Sequence, residues 1–266
     1  MNKFVSPYSP NTDSDRLEML KSLGVSSEKD LFKDIPPRFV DPELNLPNPQ
    51  SELSLQSELY RLSRINKTPG EIPSFLGAGS YRHFTPSAVK QIVSRGEYMT
   101  AYTPYQPEVA QGTLQATYEF QSLICLLFGM EVANAGMYDG ATALAEAALM
   151  ACRVTGRNRI LALDTISATD YRVLQTYALP QGLIVESVPA NTTKIPSDTA
   201  CLLVQHPNFY GYLEDMTNLR NLTKSQEALL VMSMNPISMG MIKPPGDYDA
   251  DIAVSEGQPL GISLNF

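Results

Sequence analysis

From residue 130 onward, short apolar and β-branched runs alternate with amphipathic or polar stretches. The runs lie at 159–163, 182–188, 200–205, 228–234 and 251–254, and polar residues do not alternate within them. A strand without a polar face is buried on both sides, and the stretches between such strands are crossovers. The pattern therefore predicts a parallel sheet with helices on each face. Upstream the period becomes helical. Residues 111–128 place Ala116, Phe120, Leu123, Ile124 and Leu127 at helical spacing before Gly129, which predicts a core helix with a glycine stop. Before it, Thr85-Pro86 reads as a cap followed by proline at the first helical position, for a helix running to Arg95.

The first quarter of the chain is organised differently. Leu17, Leu20 and Met19 or Leu23 form the apolar face of a helix over 13–23 that Gly24 stops, and a short helical turn follows Ser26. Pro36-Pro37, Asp41-Pro42, Leu46-Pro47 and Asn48-Pro49 then forbid regular structure, giving an extended arm. A helical pattern returns over 51–66 through Leu55, Leu59, Leu62 and Ile65, with Arg61 and Arg64 near its end. Helices tethered by such arms commonly pack on something other than their sequence neighbours. The division expected is a helical, Pro-rich arm at 1–75 and an α/β domain at 76–266.

Composition narrows the function classes. A net charge of −8 over 266 residues opposes binding to nucleic acid or to acidic membrane surfaces. Cys125, Cys152 and Cys201 are widely spaced, and two of them lie in apolar helical segments, so they read as reduced core thiols and not as metal ligands. No segment reaches the length of a membrane span, and the first ten residues lack a leader pattern, so a cytoplasmic protein is expected.

Three stretches could carry chemistry. Residues 98–112, Tyr-Met-Thr-Ala-Tyr-Thr-Pro-Tyr-Gln-Pro-Glu-Val-Ala-Gln-Gly, fit neither period. Pro104 and Pro107 push Thr103 and Gln106 into extended geometry, and tyrosines with an apolar body and polar tip suit the wall of a half-wet site. A Pro-braced surface loop is the plainer alternative. Residues 137–143, Met-Tyr-Asp-Gly-Ala-Thr-Ala, open a small-residue helix whose N-terminus could cradle an anion, although Asp139 reads equally as an N-cap that would repel phosphate. Residues 203–215, Leu-Val-Gln-His-Pro-Asn-Phe-Tyr-Gly-Tyr-Leu-Glu-Asp, form a strand that breaks at Pro207, where loops line the crevice of a parallel sheet. His206 has no recognisable nucleophile beside it, so it reads as a hydrogen-bonding residue more than as an acid or base. Neither a dinucleotide fingerprint nor a P-loop is present, leaving NAD and ATP unsupported.

Together with Lys243-Pro-Pro-Gly and Glu256-Gly-Gln-Pro-Leu-Gly, these motifs resemble the glycine decarboxylase subunit 1 family, the P-protein of the glycine cleavage system. The resemblance runs from about Phe75 through the motif at Glu256–Gly261, most of the chain. It implies the large domain of a fold-type-I pyridoxal-phosphate transferase. Where that fold usually offers an acid to the pyridine nitrogen and a Schiff-base lysine, this chain offers Asn235-Pro236 and Gln258-Pro259. The resemblance therefore implies pyridoxal phosphate bound covalently by a partner, subunit 2. The pair would decarboxylate glycine and pass the aminomethyl group to the lipoyl H-protein. No catalytic residue is assigned to this chain alone. Tyr102, Thr103, Tyr105, Gln106 and Glu108 are expected to line the partner's site, and Tyr138, His206, Asn208, Glu256 and Gln258 a cleft of this chain. Because the family continues past Phe266, an incomplete sheet is expected. A non-catalytic remnant of the family, or an interaction protein derived from it, remains the alternative. A self-sufficient transaminase would have to use Lys194 or Lys243.

Overall fold

The five apolar runs form five parallel strands: β1 (Arg159–Leu163), β2 (Ile184–Val188), β3 (Thr199–Gln205), β4 (Leu229–Ser233) and β5 (Ile252–Val254). This is a computed structural model, and it describes residues 10–40, 42–68, 70–75, 81–98 and 103–264 together with Tyr8, Gly77 and Gly79. The sheet order is β2-β1-β3-β4-β5. Ile160 to Leu163 and Ala200 to Val204 are fully buried, as the unbroken apolar runs predict. Each such Leu or Ile contributes about 1.5–3 kcal/mol by leaving water.

Helix α5 (Gly140–Thr155) packs against β1, β3, β4 and β5, and α6 (Ala168–Ala178) lies beside it against β2. Ala145, Ala148 and Ala151 are fully buried on α5, and side chains this small let the helix approach the sheet closely. Helix α7 (Met216–Ser225) joins β3 to β4 and packs on β4. The step from β1 through α6 to β2 runs one way along the sheet, and the step from β3 through α7 to β4 runs the other. Right-handed crossovers in opposite directions place α6 and α7 on opposite faces. The winding reverses between β1 and β3.

Edge strand β5 is only three residues long and is fastened by charge. Arg220 of α7 pairs with Asp249 at 3.2 Å and with Asp251 at 2.7 Å, and an Asp251 carboxylate oxygen accepts the Leu230 N–H at 2.8 Å.

Two compact units make up the chain, Met1–Lys67 and Thr68–Phe266. In the first, α1 (Asp13–Leu23) starts in a Thr12 capping box and ends at Gly24 in the left-handed conformation. A turn over Glu28–Phe32 follows, and α2 (Glu52–Ser63) is capped by the Ser51 hydroxyl. Neither α1 nor α2 buries a residue.

In the second unit, α3 (Ser87–Val93) begins one residue later than Thr85-Pro86 predicts, with Pro86 itself as N-cap. Helix α4 (Pro107–Phe128) carries the main correction to the sequence reading. It starts at Pro107, is interrupted at Ala110 (φ −116°, ψ 18°), and runs on from residue 111, where the periodicity begins. It is not a core helix of this chain, because Phe128 alone of its described residues is buried. Leu123 is 63% exposed and Phe120 44%.

The C-terminus of α4 meets the body at a glycine contact. Gly129 adopts φ 66° as the helix cap, and Gly246 lies so close that a Cβ on it would overlap the Gly129 carbonyl. Gly246→Ala is therefore expected to cost about 3 kcal/mol or more, because backbone must move to admit it. Gly257→Ala, whose Cβ would meet nothing within 4 Å, should change stability by no more than about 0.5 kcal/mol. Urea melts of the two variants check this, and equal midpoints would remove the glycine contact as an anchor.

Candidate functional site

Where a parallel sheet reverses its winding, the loops at the strands' carboxyl ends part and leave a crevice. Such a cleft, of about 310 Å³, lies here. Ser167 and Asp170 reach it after β1, Gln205 at the end of β3, Ser233 at the end of β4 with Asn235 just after it, and Glu256 after β5. Asp139 and Gly140 close it from the start of α5. The Gln205 Oε1 accepts the Ser167 N–H at 2.9 Å, tying β3 to the start of α6.

The N-terminus of α5, the anion cradle considered from sequence, is occupied from within the chain. The Asp139 carboxylate accepts the Thr142 N–H at 2.7 Å, and Thr142 Oγ1 accepts the Asp139 N–H at 3.2 Å, completing a capping box. The Gly140 N–H donates to Glu256 Oε2 at 2.9 Å. A Cβ on Gly140 would lie 3.4 Å from the Glu256 Cβ, so glycine permits this approach of the β5 loop. Three carboxylates, Asp139, Asp170 and Glu256, line the cleft without a lysine or arginine among the described lining residues. Burial pushes the Asp170 carboxyl above its usual range, Ser167 opposes that by hydrogen bonding, and the Asp139 charge adds to it.

Of the five residues expected along this cleft, Glu256 lines it and the other four do not. Tyr138 is 98% exposed. Gln258 turns its amide to the Ile262 carbonyl at 2.6 Å. His206 and Asn208 instead build the loop over residues 206–215. The Asn208 Oδ1 accepts the N–H groups of Tyr210 and Tyr212, both at 3.0 Å, and its Nδ2 donates to Glu214 at 2.7 Å. Glu214 also accepts the Thr165 hydroxyl at 2.6 Å, and its N–H donates to His206 Nδ1 at 3.2 Å. That bond leaves the proton of a neutral imidazole on Nε2, which is buried without a hydrogen-bond partner. The ring lies edge-on to Tyr248, with centroids 5.3 Å apart. Burial lowers the His206 pKa more than the Glu214 charge raises it, so the ring is neutral at pH 7. His206 thus sets the loop that presents Phe209 to the cleft.

Sequence reasoning missed Asp170, Gln205 and Ser167. Gln205 was within reach, as the last residue of a predicted strand in a fold whose ligands bind at strand ends. Asp170 carried no such signal, being a first-turn acid like many others.

The opening loop is placed apart from the cleft. Tyr102 lies outside the described residues. Thr103, Tyr105, Gln106 and Glu108 are exposed, Tyr105 at 79%. Gln106 is extended (φ −103°, ψ 101°) and caps α4, Pro107 takes the first helical position, and Glu108 lies in the first turn. A second concavity runs along α4, lined by Tyr98, Val109, Gly112, Thr113, Ala116 and Phe120 among others, and none of these four loop residues lines it or the cleft. Lys194 and Lys243 are exposed and likewise line neither.

Among the described residues, no helix is long and apolar enough to cross a membrane, and no three His, Cys, Asp or Glu side chains converge as a metal set. The three cysteines are free thiols.

The family model described as "Glycine cleavage system P-protein" matches residues 6–266. A "probable glycine dehydrogenase (decarboxylating) subunit 1" of Prosthecochloris aestuarii is 47% identical over 271 residues, covering 98% of this chain and 61% of the relative. The protein of the same name in Thermomicrobium roseum is 48% identical, covering 97% and 60%. The crystal structure of an inhibitor-bound glycine decarboxylase (P-protein) superimposes with a TM-score of 0.88 at 41% identity, over 98% of this chain and 60% of that one. A structure of SspA in complex with cysteine shares the fold alone, at a TM-score of 0.52 and 12% identity. The chain thus spans 60–61% of the length of the P-protein relatives it matches. Its fold is the α/β arrangement of fold-type-I pyridoxal-phosphate enzymes, as the sequence implied. On these matches the chain belongs to the glycine cleavage system P-protein family, in its glycine dehydrogenase (decarboxylating) subunit 1 branch.

Proposed function

We propose that this chain is the subunit of a two-chain glycine decarboxylase that shapes the active site without holding the cofactor. The observation that carries this reading is the state of its own crevice. Pyridoxal phosphate would need an anion cradle and an amine there. The chain's Glu256 carboxylate sits on the Gly140 N–H at the head of α5 instead, and the described lining residues include three carboxylates and no lysine. The cofactor does not fit the described residues of this crevice, which supports its assignment to subunit 2. A cytoplasmic complex is the setting we infer, with glycine as substrate and the lipoyl H-protein as acceptor of the aminomethyl group.

This chain's contribution is the segment from Thr103 to Glu108 and, by continuity, Tyr102. Thr103, Tyr105, Gln106 and Glu108 line neither of the two concavities among the described residues, and Pro104 and Pro107 limit how far Tyr105 and Glu108 can swing. Fixed side chains of this kind are suited to closing another subunit's site, excluding water and orienting substrate. The phenol of Tyr105 would donate or accept a hydrogen bond there, and Glu108 would meet a cationic amine.

Two measurements follow. Mixed with pyridoxal phosphate, the isolated chain should show no stoichiometric imine band that survives dialysis. A band removed by borohydride would overturn the assignment of the cofactor to the partner. In the assembled complex, Tyr105→Phe and Glu108→Gln should each lower turnover by about tenfold or more while assembly is retained. Unchanged turnover per assembled complex in both variants would take the loop out of the site.

A further inference from the structure

We infer that His206 is an acid-sensitive latch on the loop over residues 206–215, holding Phe209 against the cleft only while the imidazole is neutral. The device belongs to the cleft of this chain and does not depend on which subunit holds the cofactor. The loop is fastened from its inner side. The Phe209 N–H donates to the Thr165 carbonyl at 2.9 Å, and the Glu214 carboxylate takes the Thr165 hydroxyl and the Asn208 amide. These bonds join the ends of β1 and β3 across the place where the winding reverses. On the outer side Tyr210, Tyr212 and Leu213 are exposed and add little cover. A loop held by a few polar contacts opens at a small fraction of the cost of unfolding the sheet behind it.

His206 closes this arrangement at its base. The residue is 2% exposed, its backbone N–H donates to the Ser233 carbonyl at 2.9 Å, and its Nδ1 accepts the Glu214 N–H at 3.2 Å. Nε2 already carries the proton of the neutral ring, so a second proton has only Nδ1 to go to. Two donors would then face each other across the Glu214 contact, while the buried Nε2–H still lacked an acceptor. The protonated ring and the closed loop therefore exclude one another. Opening gives the cation a partner, because the Glu214 carboxylate, once free of Asn208 and Thr165, can pair with it.

The surroundings leave this proton to Glu214 and the ring. On the turn over Pro245–Tyr248 the titratable groups are Asp247 and Tyr248, and the Tyr248 ring meets His206 edge-on. Strand β4 carries none. Asp215 is engaged at the start of α7, accepting the Asn218 N–H at 3.1 Å, and Asp249 is paired with Arg220 and Lys224. Burial holds the His206 pKa below its ordinary value of 6.5 against the pull of Glu214, so the closed loop binds the proton more weakly than the open one. The latch is at full strength above pH 6.5 and weakens as pH falls from there to the lowered value.

The test uses the full chain labelled with nitrogen-15. At pH 7.5 the imidazole spectrum should show a neutral ring with its proton on Nε2. Amide exchange, corrected for its intrinsic pH dependence, should lose up to about tenfold of protection at Tyr210, Tyr212 and Glu214 between pH 7.5 and 5.5, the limit one proton sets over the first unit below the ordinary histidine value. Amides of β3 and β4 should keep theirs. His206→Asn offers an amide oxygen close to where Nδ1 accepts and cannot titrate, so its loop should stay protected at both pH values. A ring protonated on Nδ1 at pH 7.5, unchanged loop protection in the wild type, or a loss shared equally by β3 and β4 would overturn the proposal. So would a His206→Asn chain that loosens in acid as the wild type does. Should that variant not fold, the wild-type profile still decides, because a loss that begins only below about pH 5, in the carboxylate range, would assign the effect to Glu214 and not to His206.

Discussion

A parallel sheet cannot leave either face in water, and most of this body is arranged to meet that requirement. Strands β1, β3 and β4 are almost wholly apolar, so both faces need helices laid along them. Alanines on α5 allow the closest of these approaches, and the opposed crossovers through α6 and α7 supply cover on the two sides. The same opposed winding opens the crevice between β1 and β3, so the position of the cleft follows from how the sheet is covered. No separate device is needed to make it.

The sequence encoded burial well and its source poorly. Strand positions were legible because a continuous β-branched run has few other uses in a crossover fold, and Gly24, Gly129 and Asp139 announced helix ends through chemistry local to them. The reading of α4 failed in an informative way. Periodicity reports that Phe120, Leu123 and Leu127 must be covered, and it is silent on whether the cover belongs to the same chain.

The site was less legible than the fold, for a related reason. The bond between Gly140 and Glu256 joins residues 116 positions apart, and neither motif alone announces it. From sequence, Asp139 was correctly weighed as a cap, yet the carboxylate that occupies the neighbouring N–H could not be seen. His206 and Asn208 stood in a motif shared with the family and were read as facing the cleft. The loop over 206–215 instead uses their polar atoms to hold its own shape, through Glu214 as a common partner. A motif can mark a loop's architecture as easily as its chemistry.

The clamp on β5 gives one wall of the cleft a different character from the rest. Central strands are held by dispersion and burial, which salt hardly touches, whereas Arg220, Asp249 and Asp251 hold β5 through ion pairs partly open to solvent. Lys224 and then Arg220 keep the Asp249 carboxyl below its usual pKa. The stability this lends is complete above the ordinary carboxylate range and drains away only as pH falls through the lowered value. Glu256 sits two residues beyond β5, so the lock on the α5 cradle inherits the tolerances of that clamp. Rising ionic strength would loosen the cleft from its outer edge inward, as a local opening well below the free energy of unfolding the sheet.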